Sequence, residues 1–386
     1  MEYFFTEQQQ MVRGLARKIA EEQIVPVRAE LDETEEFPWA IVKLLAEVDM
    51  FRVFIPEEYE GLGGGNVGLC LVIEELSRAC CGVALTYAAV ALGTLPILLY
   101  GNEEQKRKYL PEIASGARLT AFGLTESDAG SDAGSIQTTA TRSGDSYVIN
   151  GAKRFITNGG EAEIYTVIAL TDKTRGPRGS SAFIVEKDTP GFTFGRKEKK
   201  MGIRCSATRE LFFDDCKVPK ANLLGKEGQG FIVTMKTLDS SRPGVASLSI
   251  GLAQGALEAA VDYARQRHQF GRPISANQAI QHMLANMAME LEAARALVYA
   301  TARTIDSGAR DFTEEGAMAK VFATDMAMKV TTDVVQIFGG VGYMRDYPAE
   351  KMMRDAKINQ IYEGTNQVLR NEIALELLKR KAKRKG

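Results

Sequence analysis

The sequence predicts a mostly α-helical protein with a central β domain: an N-terminal helical domain, a middle β-barrel or sandwich, and a C-terminal four-helix bundle. Three observations predict this order. Apolar residues recur at helical spacing from Tyr3 to about Gly116. Short β-branched and aromatic segments follow Arg118, and long helical runs return from about Gly228. The predicted domains are therefore residues 1–117, 118–226 and 227–386, the last ending in a basic tail.

Within the N-terminal domain, Thr6 and Gln9 form a capping-box pattern that predicts the start of the first helix, and Pro26 predicts its end. Gly63–Gly68 matches the G-x-G-x-x-G pattern of dinucleotide-binding sites. It follows an acidic, turn-like segment rather than a strand, so we interpret it as a flexible loop. Further helices are predicted near Pro38–Val48, Gly68–Ala79, Thr86–Tyr100 and Glu103–Ala114.

Turn residues punctuate the middle domain. Asn150-Gly151 separates Ser146–Ile149 from Lys153–Ile156 and predicts a hairpin turn. Other predicted strands are Ile164–Leu170, Ser181–Glu186 and Arg209–Phe213.

In the C-terminal domain, apolar residues from Ile280 to Leu297 mark one helix that Gly308 closes. A second helix spans about Glu314–Ile337 and ends at Gly339-Gly340. Four long helices joined by short turns predict an antiparallel bundle.

Length and composition indicate a globular protein of about two or three domains. The 386 residues are 45% apolar and 25% charged, which excludes a disordered chain and a collagen-like fibre. Five cysteines form no C-x-x-C motif and only two histidines are present, so a zinc or other metal site and a Ser-His-Asp triad lack their residues. We expect free thiols in a reducing compartment.

Charge and targeting signals favour a cytoplasmic location. Six of the seven residues from Lys379 to Lys385 are basic, so the rest of the chain carries a net charge of −8, which excludes a nucleic-acid footprint. We expect this tail to be solvated and frayed. The first residues match neither a signal nor a transit peptide, and no apolar stretch predicts membrane insertion. The expected location is the bacterial cytoplasm, or the mitochondrial matrix if the chain has been processed.

Four motifs carry chemistry. Phe122–Asp132 puts hydroxyls and glycine amides after an apolar run, which suits either an anion-binding nest or an ordinary Ser/Asx turn. Gln266–Arg272 is either a pyrophosphate-binding helix end or a charged C-terminus that balances the helix dipole. In Gln336–Gly340 the two glycines are typical of a helix C-cap, and they also allow the close approach of a cofactor.

The fourth motif, Ile361–Thr365, contains Glu363 between an aromatic residue and Gly-Thr. An apolar site would raise the pKa of this carboxyl and suit it to general-base catalysis near neutral pH. The alternative is an exposed glutamate at the start of the last helix.

Together these segments resemble the acyl-CoA dehydrogenase family from about Tyr3 to Leu378. The resemblance is carried by motifs in the family's order and spacing: Phe122–Asp132, Lys153–Gly160, Asp239–Arg242, Arg267–Gly271, Gln336–Gly340 and Ile361–Arg370. It implies a homotetramer with one FAD per subunit that desaturates an acyl-CoA thioester and passes electrons to an electron-transfer flavoprotein. Glu363 matches the family's base. In another branch of the family the base lies at the position of Ser241, and a serine cannot act as that base.

The resemblance also implies binding residues, some of which would reach FAD from a neighbouring subunit. Two departures from the family pattern are Ser127, where proline is usual, and Phe155, where tryptophan is frequent. The implied FAD-binding residues are Phe122, Leu124, Thr125, Ser131, Phe155, Ile156, Thr157, Arg267, Phe270, Gln278, Gln336, Ile337, Phe338, Gly339, Gly340, Thr365, Asn366 and Gln367. The implied substrate-binding residues are Ser131, Asp239, Arg242, Tyr362 and Gly364.

Substrate choice is expected to depend on Tyr87–Pro96, which carries small apolar residues from Ala88 through Val90 to Leu92 and no charge. This predicts a neutral short- or medium-chain acyl group, with branched or cyclic tails permitted. Two alternatives stay open: an enoyl-CoA reductase of the same family, and an acyl-CoA-binding protein that has lost catalysis. A flavin oxidase is disfavoured because such enzymes generally carry an extra C-terminal domain.

Overall fold

A computed structural model of the chain describes residues 3–383, and the side chains of residues 3–379. The N-terminal domain is helical, as predicted. Its six α-helices are α1 Glu7–Ile19, α2 Arg28–Thr34, α3 Trp39–Glu47, α4 Gly65–Ala79, α5 Cys81–Tyr100 and α6 Glu103–Ala114. The predicted frayed tail falls mostly outside the described side chains.

The first helix begins and ends as predicted. The Thr6 hydroxyl accepts a hydrogen bond from the Gln9 amide at 3.2 Å, and the Gln9 side chain accepts one from the Thr6 amide at 3.0 Å. This reciprocal pair satisfies two backbone donors that a helix start leaves unpaired. After α1 a π-helical turn, Ala20–Ile24, completes the segment before Pro26.

The predicted loop holds for Gly63 and Gly64, whereas Gly65–Gly68 form the first turn of a helix. Helix α4 begins at Gly65, and its free amides are satisfied by the Asp306 carboxylate, which accepts from Asn66 at 2.7 Å and from Val67 at 2.9 Å. A Cβ atom at Gly65 would lie 2.6 Å from the same carboxylate. The protein's own anion therefore occupies the position that a dinucleotide phosphate would need.

In the part of the chain that the structure describes, two helices are long and apolar enough to cross a membrane by length and composition alone. They are α5 and Gly230–Gln266, and their most apolar stretches are 78% and 72% buried inside the fold. We predicted no apolar stretch long enough for a membrane helix, but α5 is such a stretch, because none of its 20 residues is charged. Its burial against neighbouring helices accounts for this composition.

The middle domain is built on a sheet. Within the described residues, eight strands form one sheet in the order β6-β7-β3-β2-β4-β5-β8, with β1 parallel to β4. The strands are β1 Thr120–Gly123, β2 Thr139–Ser143, β3 Ser146–Thr157, β4 Ile164–Leu170, β5 Ser180–Glu186, β6 Phe192–Phe194, β7 Thr208–Pro219 and β8 Leu223–Leu224.

The predicted hairpin turn at Asn150-Gly151 is wrong. Strand β3 runs through this dipeptide without reversing, and the hairpin turn lies between Ser143 and Ser146, which pair across β2 and β3. The dipeptide instead marks a register shift against β7, where the Asn150 side chain accepts from the Asp215 amide at 2.7 Å. Two residues of β7, Asp214 and Asp215, therefore face the single residue Asn150, which makes the irregularity a β-bulge in β7.

The C-terminal domain is the predicted helical bundle. Its three longest helices are α7 Gly230–Gln266, α8 Gln278–Asp306 and α9 Thr313–Phe338, and the shorter α10 Ala349–Asn359 and α11 Asn366–Lys383 complete it. A two-residue hairpin of β9 His268–Gln269 and β10 Arg272–Pro273 joins α7 to α8. The N-terminal helices α4 and α5 pack against α7, so one core joins the two helical domains.

Replacing Asp306 with alanine removes the carboxylate that caps α4. We expect Asp306→Ala to lower the free energy of unfolding by about 1 kcal/mol, the usual cost of a lost N-cap. The measurement is urea unfolding followed by circular dichroism. Asp262→Ala, at an exposed position on α7, is the matched control. Equal stability of the two variants would contradict the assigned cap.

Candidate active site

A cavity of about 680 Å³ is lined by all three domains. Its wall combines the loop after β1, the end of β3, one face of α7, helices α4 and α5, the segment before α11 and one face of α11 itself. Of the predicted site residues it contains Phe122, Leu124, Thr125, Ser131, Phe155, Ile156, Thr157, Arg242, Tyr362, Glu363 and Gly364.

A buried ion pair shapes the loop after β1. The Lys153 ammonium donates to Glu126 Oε1 at 2.7 Å and to the Leu124 carbonyl at 3.0 Å. Glu126 also accepts from the backbone amides of Gln137 at 2.6 Å and Thr138 at 3.1 Å. Burial lowers the pKa of Lys153 to about 8. Burial also opposes ionisation of Glu126, but the Lys153 charge and the hydrogen bonds outweigh it and lower the pKa of that carboxyl.

The wall formed by this loop and the end of β3 offers a ring and free hydroxyls. The Phe155 side chain is 56% exposed, and its backbone is left-handed with φ of +59°. The hydroxyls of Thr125, Ser131 and Thr157 take part in no hydrogen bond within the described residues. An aromatic face beside unpaired hydroxyls fits a flat, polar-edged ring system.

Glu363 also lines the cavity, in a strained turn before α11. The residue is half-buried, with φ of +53°, and Gly364 follows with φ of +95°. A left-handed conformation costs a residue with a Cβ about 1–2 kcal/mol. Helix α11 begins only at Asn366, so the alternative of an exposed glutamate at the helix start is wrong.

The environment of Glu363 perturbs its carboxyl group. Burial raises the pKa of Glu363 above the ordinary glutamate value, against the lowering effects of a hydrogen bond from Ser241 and of the Lys320 and Arg242 charges. The Ser241 hydroxyl donates to Glu363 Oε2. The carboxylate is therefore oriented, and its basicity is greater than that of a glutamate in water.

Asp239 and Arg242 pair with each other inside the bundle. Arg242 donates to Asp239 Oδ1 at 2.8 Å and approaches Glu372 at 2.9 Å. Its side chain is only 4% exposed, although it borders the cavity, whereas Asp239 is bound by the Thr313 hydroxyl at 2.8 Å outside it. Their predicted contact with CoA stays a prediction.

The remaining predicted cofactor residues lie outside the cavity. Phe270 is 98% exposed at the tip of the β9–β10 hairpin. Ile337 and Phe338 are buried, and the Phe338 ring stacks on Tyr263 with centroids 4.2 Å apart. Asn366 is buried and hydrogen-bonded to α9. Arg267, Gln278, Gln336, Gly339, Gly340, Thr365 and Gln367 complete this group, and the predicted contribution from a neighbouring subunit is untested.

Most of the α5 residues predicted to line the substrate pocket lie at the apolar end of this cavity, and one does not. Ala88, Ala89, Ala91, Leu92 and Leu95 line it, whereas the buried Val90 does not. Since α5 turns about 100° per residue, Val90 points to another face. Apolar residues of the neighbouring helices, which were not predicted from the sequence, also line this end, among them Leu69, Ile73, Phe231, Met235 and Leu238. The spacing of the last three, i, i+4 and i+7, is the signal that one face of α7 is apolar.

Comparison with known proteins identifies the family. The N-terminal, middle and C-terminal domain models of acyl-CoA dehydrogenase match residues 6–117, 121–216 and 228–378. The chain belongs to the acyl-CoA dehydrogenase family. These matches also confirm the predicted three-domain fold.

Relatives of known name match over nearly the whole chain. An acyl-CoA dehydrogenase of Bacillus subtilis (strain 168) is 50% identical over 374 residues, which are 97% of this chain and 98% of the relative. The acryloyl-CoA reductase (NADH) of Anaerotignum propionicum is 46% identical over 382 residues, 98% of this chain and 97% of the relative.

Solved structures match equally well. A chain from a study of the electron transferring flavoprotein of Acidaminococcus fermentans and flavin-based electron bifurcation is 51% identical with a TM-score of 0.96, covering 98% of this chain and all of that one. Butyryl-CoA dehydrogenase of Megasphaera elsdenii is 46% identical with a TM-score of 0.95, again covering 98% of this chain and all of that one.

The family membership makes the protein a flavoprotein oxidoreductase that acts on CH–CH bonds, with FAD as its cofactor. The residues on the cavity wall fit this cofactor, because Phe155 supplies an aromatic face and Thr125, Ser131 and Thr157 supply unpaired hydroxyls. The Glu126–Lys153 pair holds the loop that carries two of these hydroxyls.

Replacing Lys153 with methionine leaves Glu126 buried without its cation, and breaking such a pair costs about 3–5 kcal/mol. We expect purified K153M to retain much less FAD than the wild type, measured as the ratio of flavin to protein absorbance. The double variant K153M/E126Q removes both charges and is expected to recover most of the flavin. Full flavin occupancy in K153M would show that the pair does not hold this loop.

Proposed function

We propose that the protein catalyses α,β-desaturation of a neutral, short- to medium-chain acyl-CoA, with Glu363 as the base. One observation carries the proposal: a carboxylate of raised pKa faces the same cavity as the ring and hydroxyls that fit a flavin. When bound, FAD would supply the acceptor for the hydride that leaves the β-carbon. Electrons then pass to an electron-transfer flavoprotein, which the similarity to the Acidaminococcus fermentans chain supports.

In this reaction Glu363 removes the α-proton, and the Ser241 hydroxyl keeps the accepting carboxylate oriented. The negative charge of the resulting enolate develops on the thioester oxygen, where the Glu363 backbone amide is expected to donate a hydrogen bond. The flexibility of Gly364 permits the close approach that this hydrogen bond requires.

The cavity supports a neutral acyl group. Eight residues of α4 and α5 line it and all are apolar, so a charged tail there would lose its hydration without a partner. The similarity to a butyryl-CoA dehydrogenase supports a short chain. We also propose a homotetramer, in which the exposed Phe270 would complete a neighbouring FAD site.

The first test is Glu363→Gln, assayed by anaerobic bleaching of the flavin band with a panel of saturated acyl-CoAs. We expect FAD to stay bound while the bleaching rate falls by about 10²–10⁴-fold, the usual contribution of a general base. In the wild type the rate is expected to rise with pH through the raised pKa of Glu363, because only the ionised carboxylate accepts the proton.

Glu47→Gln, at an exposed position outside the cavity wall, is the matched control. An undiminished rate in E363Q would exclude Glu363 as the base. A wild-type flavin that no saturated acyl-CoA bleaches would favour the reverse reaction, reduction of an enoyl-CoA, as the name of the Anaerotignum propionicum relative suggests. No flavin, even after FAD is added back, would favour a binding protein without catalysis.

The second test introduces a charge at the apolar end. Leu92→Arg is expected to lower kcat/KM for neutral acyl-CoAs at least about 100-fold, because the guanidinium would stand unpaired among apolar side chains. Leu99→Arg, on the same helix but 46% exposed and outside the cavity, is expected to behave like the wild type. Unchanged kinetics in L92R would place the acyl tail elsewhere.

A further inference from the structure

Lys320 is a buried cation behind the Glu363 turn, and no step proposed above uses it. It lies on α9, its side chain is fully buried, and it is not part of the cavity wall. Among the described residues, no carboxylate lies within 4.0 Å of its ammonium. Burying an ammonium without a carboxylate partner is costly, so its hydrogen bonds must offset the cost.

These hydrogen bonds go to the turn that carries Glu363. The Lys320 ammonium donates to the Gly364 carbonyl at 2.8 Å and to Asn366 Oδ1 at 2.9 Å. Asn366 in turn donates to the Thr324 hydroxyl at 2.8 Å and to Asp325 Oδ1 at 2.7 Å, both on α9. One helix therefore binds the chain immediately after the base and again two residues later.

The turn needs such support because its backbone is strained. Glu363 has a positive φ, which a residue with a Cβ keeps only where its surroundings leave no alternative, whereas Gly364 adopts its positive φ without strain. The Gly364 carbonyl oxygen, which accepts the hydrogen bond from Lys320, belongs to the residue directly after Glu363. A charge-assisted hydrogen bond at this oxygen is about twice as strong as one between neutral groups.

The Lys320 charge also acts on Glu363 directly. The charged groups that influence Lys320 are Glu363, Arg242 on α7 and Asp325 on α9 itself, and burial lowers the pKa of Lys320 to about 7. Below neutral pH the ammonium is therefore charged. There it opposes the rise in the pKa of Glu363 that burial causes.

We infer that Lys320 is a positioning residue for the reaction: its ammonium holds the Gly364 carbonyl and thereby fixes the left-handed turn that presents Glu363 to the acyl-CoA. This inference rests on the proposed function of Glu363. Because Lys320 does not line the cavity, its effect on the rate is expected to pass through the base.

The test is Lys320→Met, which keeps an unbranched side chain and removes the charge and all donors. The rate of anaerobic flavin bleaching by a saturated acyl-CoA is measured against pH, together with acyl-CoA affinity and FAD content. We expect the rate to fall about 10- to 100-fold, as for a displaced catalytic group, with affinity changed less than threefold. The rising limb of the profile should move to higher pH, because loss of the cation raises the pKa of Glu363.

Two further variants separate geometry and charge from folding. Lys320→Gln keeps a hydrogen-bond donor without the charge, so it should retain more of the rate than K320M but show the same shift in pH. Lys329→Met, on the exposed part of the same helix, should match the wild type. If K320M does not fold, the pH profile of K320Q decides.

A rate and pH profile like the wild type in K320M or K320Q would overturn the inference. The inference would also be overturned if the rate of K320M fell only in proportion to its loss of bound FAD while the rate and pH profile of K320Q stayed like those of the wild type. E363Q keeps the two proposals apart: if it is fully active the proposed function fails, whereas an inactive E363Q beside a normal K320M excludes only the role of Lys320.

Discussion

The Glu363 carboxylate stands in an apolar cavity, and the cost of placing a charge there is the constraint on which the surrounding structure depends. Burial raises the pKa of this group because it destabilises the ionised carboxylate relative to the neutral acid, and the same effect makes the carboxylate a stronger base. The Ser241 hydroxyl and the more distant Lys320 and Arg242 charges act in the opposite direction. The balance leaves a carboxylate that is oriented without being neutralised by direct contact with a cation.

The same principle governs the other charges near the cavity, with a different outcome. Glu126 is in direct contact with Lys153, and Asp239 with Arg242. Such buried pairs shape the protein, and the Lys153 charge favours the ionised form of Glu126, so this carboxylate does not accept a proton readily. A carboxylate without a direct cationic partner is better suited to proton transfer, and Glu363 is a half-buried carboxylate of this kind on the cavity wall.

Much of the fold could be predicted because it depends on local pattern. The capping box at Thr6, the end of α1 before Pro26 and strand β4 over Ile164–Leu170 follow from the residues of each segment alone. The candidate base was also recognisable, since Glu363 lies in a short motif at a fixed place in a family pattern. Some predictions that used local pattern alone were wrong, however. Asn150-Gly151 has the composition of a hairpin turn and yet lies within one continuous strand.

The sequence by itself determined the order of the three domains, the periodicity of their helices and the motif that contains the base, because these depend on residues close together in the chain. Only the tertiary structure decided which partners those segments meet. Asp306 caps a helix that begins 241 positions earlier, and Lys320 donates to the turn of Glu363 from another helix. The Asn150-Gly151 dipeptide lies within a strand because β7 pairs with β3 on both sides of it. Such contacts join residues distant in the chain, and neither partner's local sequence specifies the other.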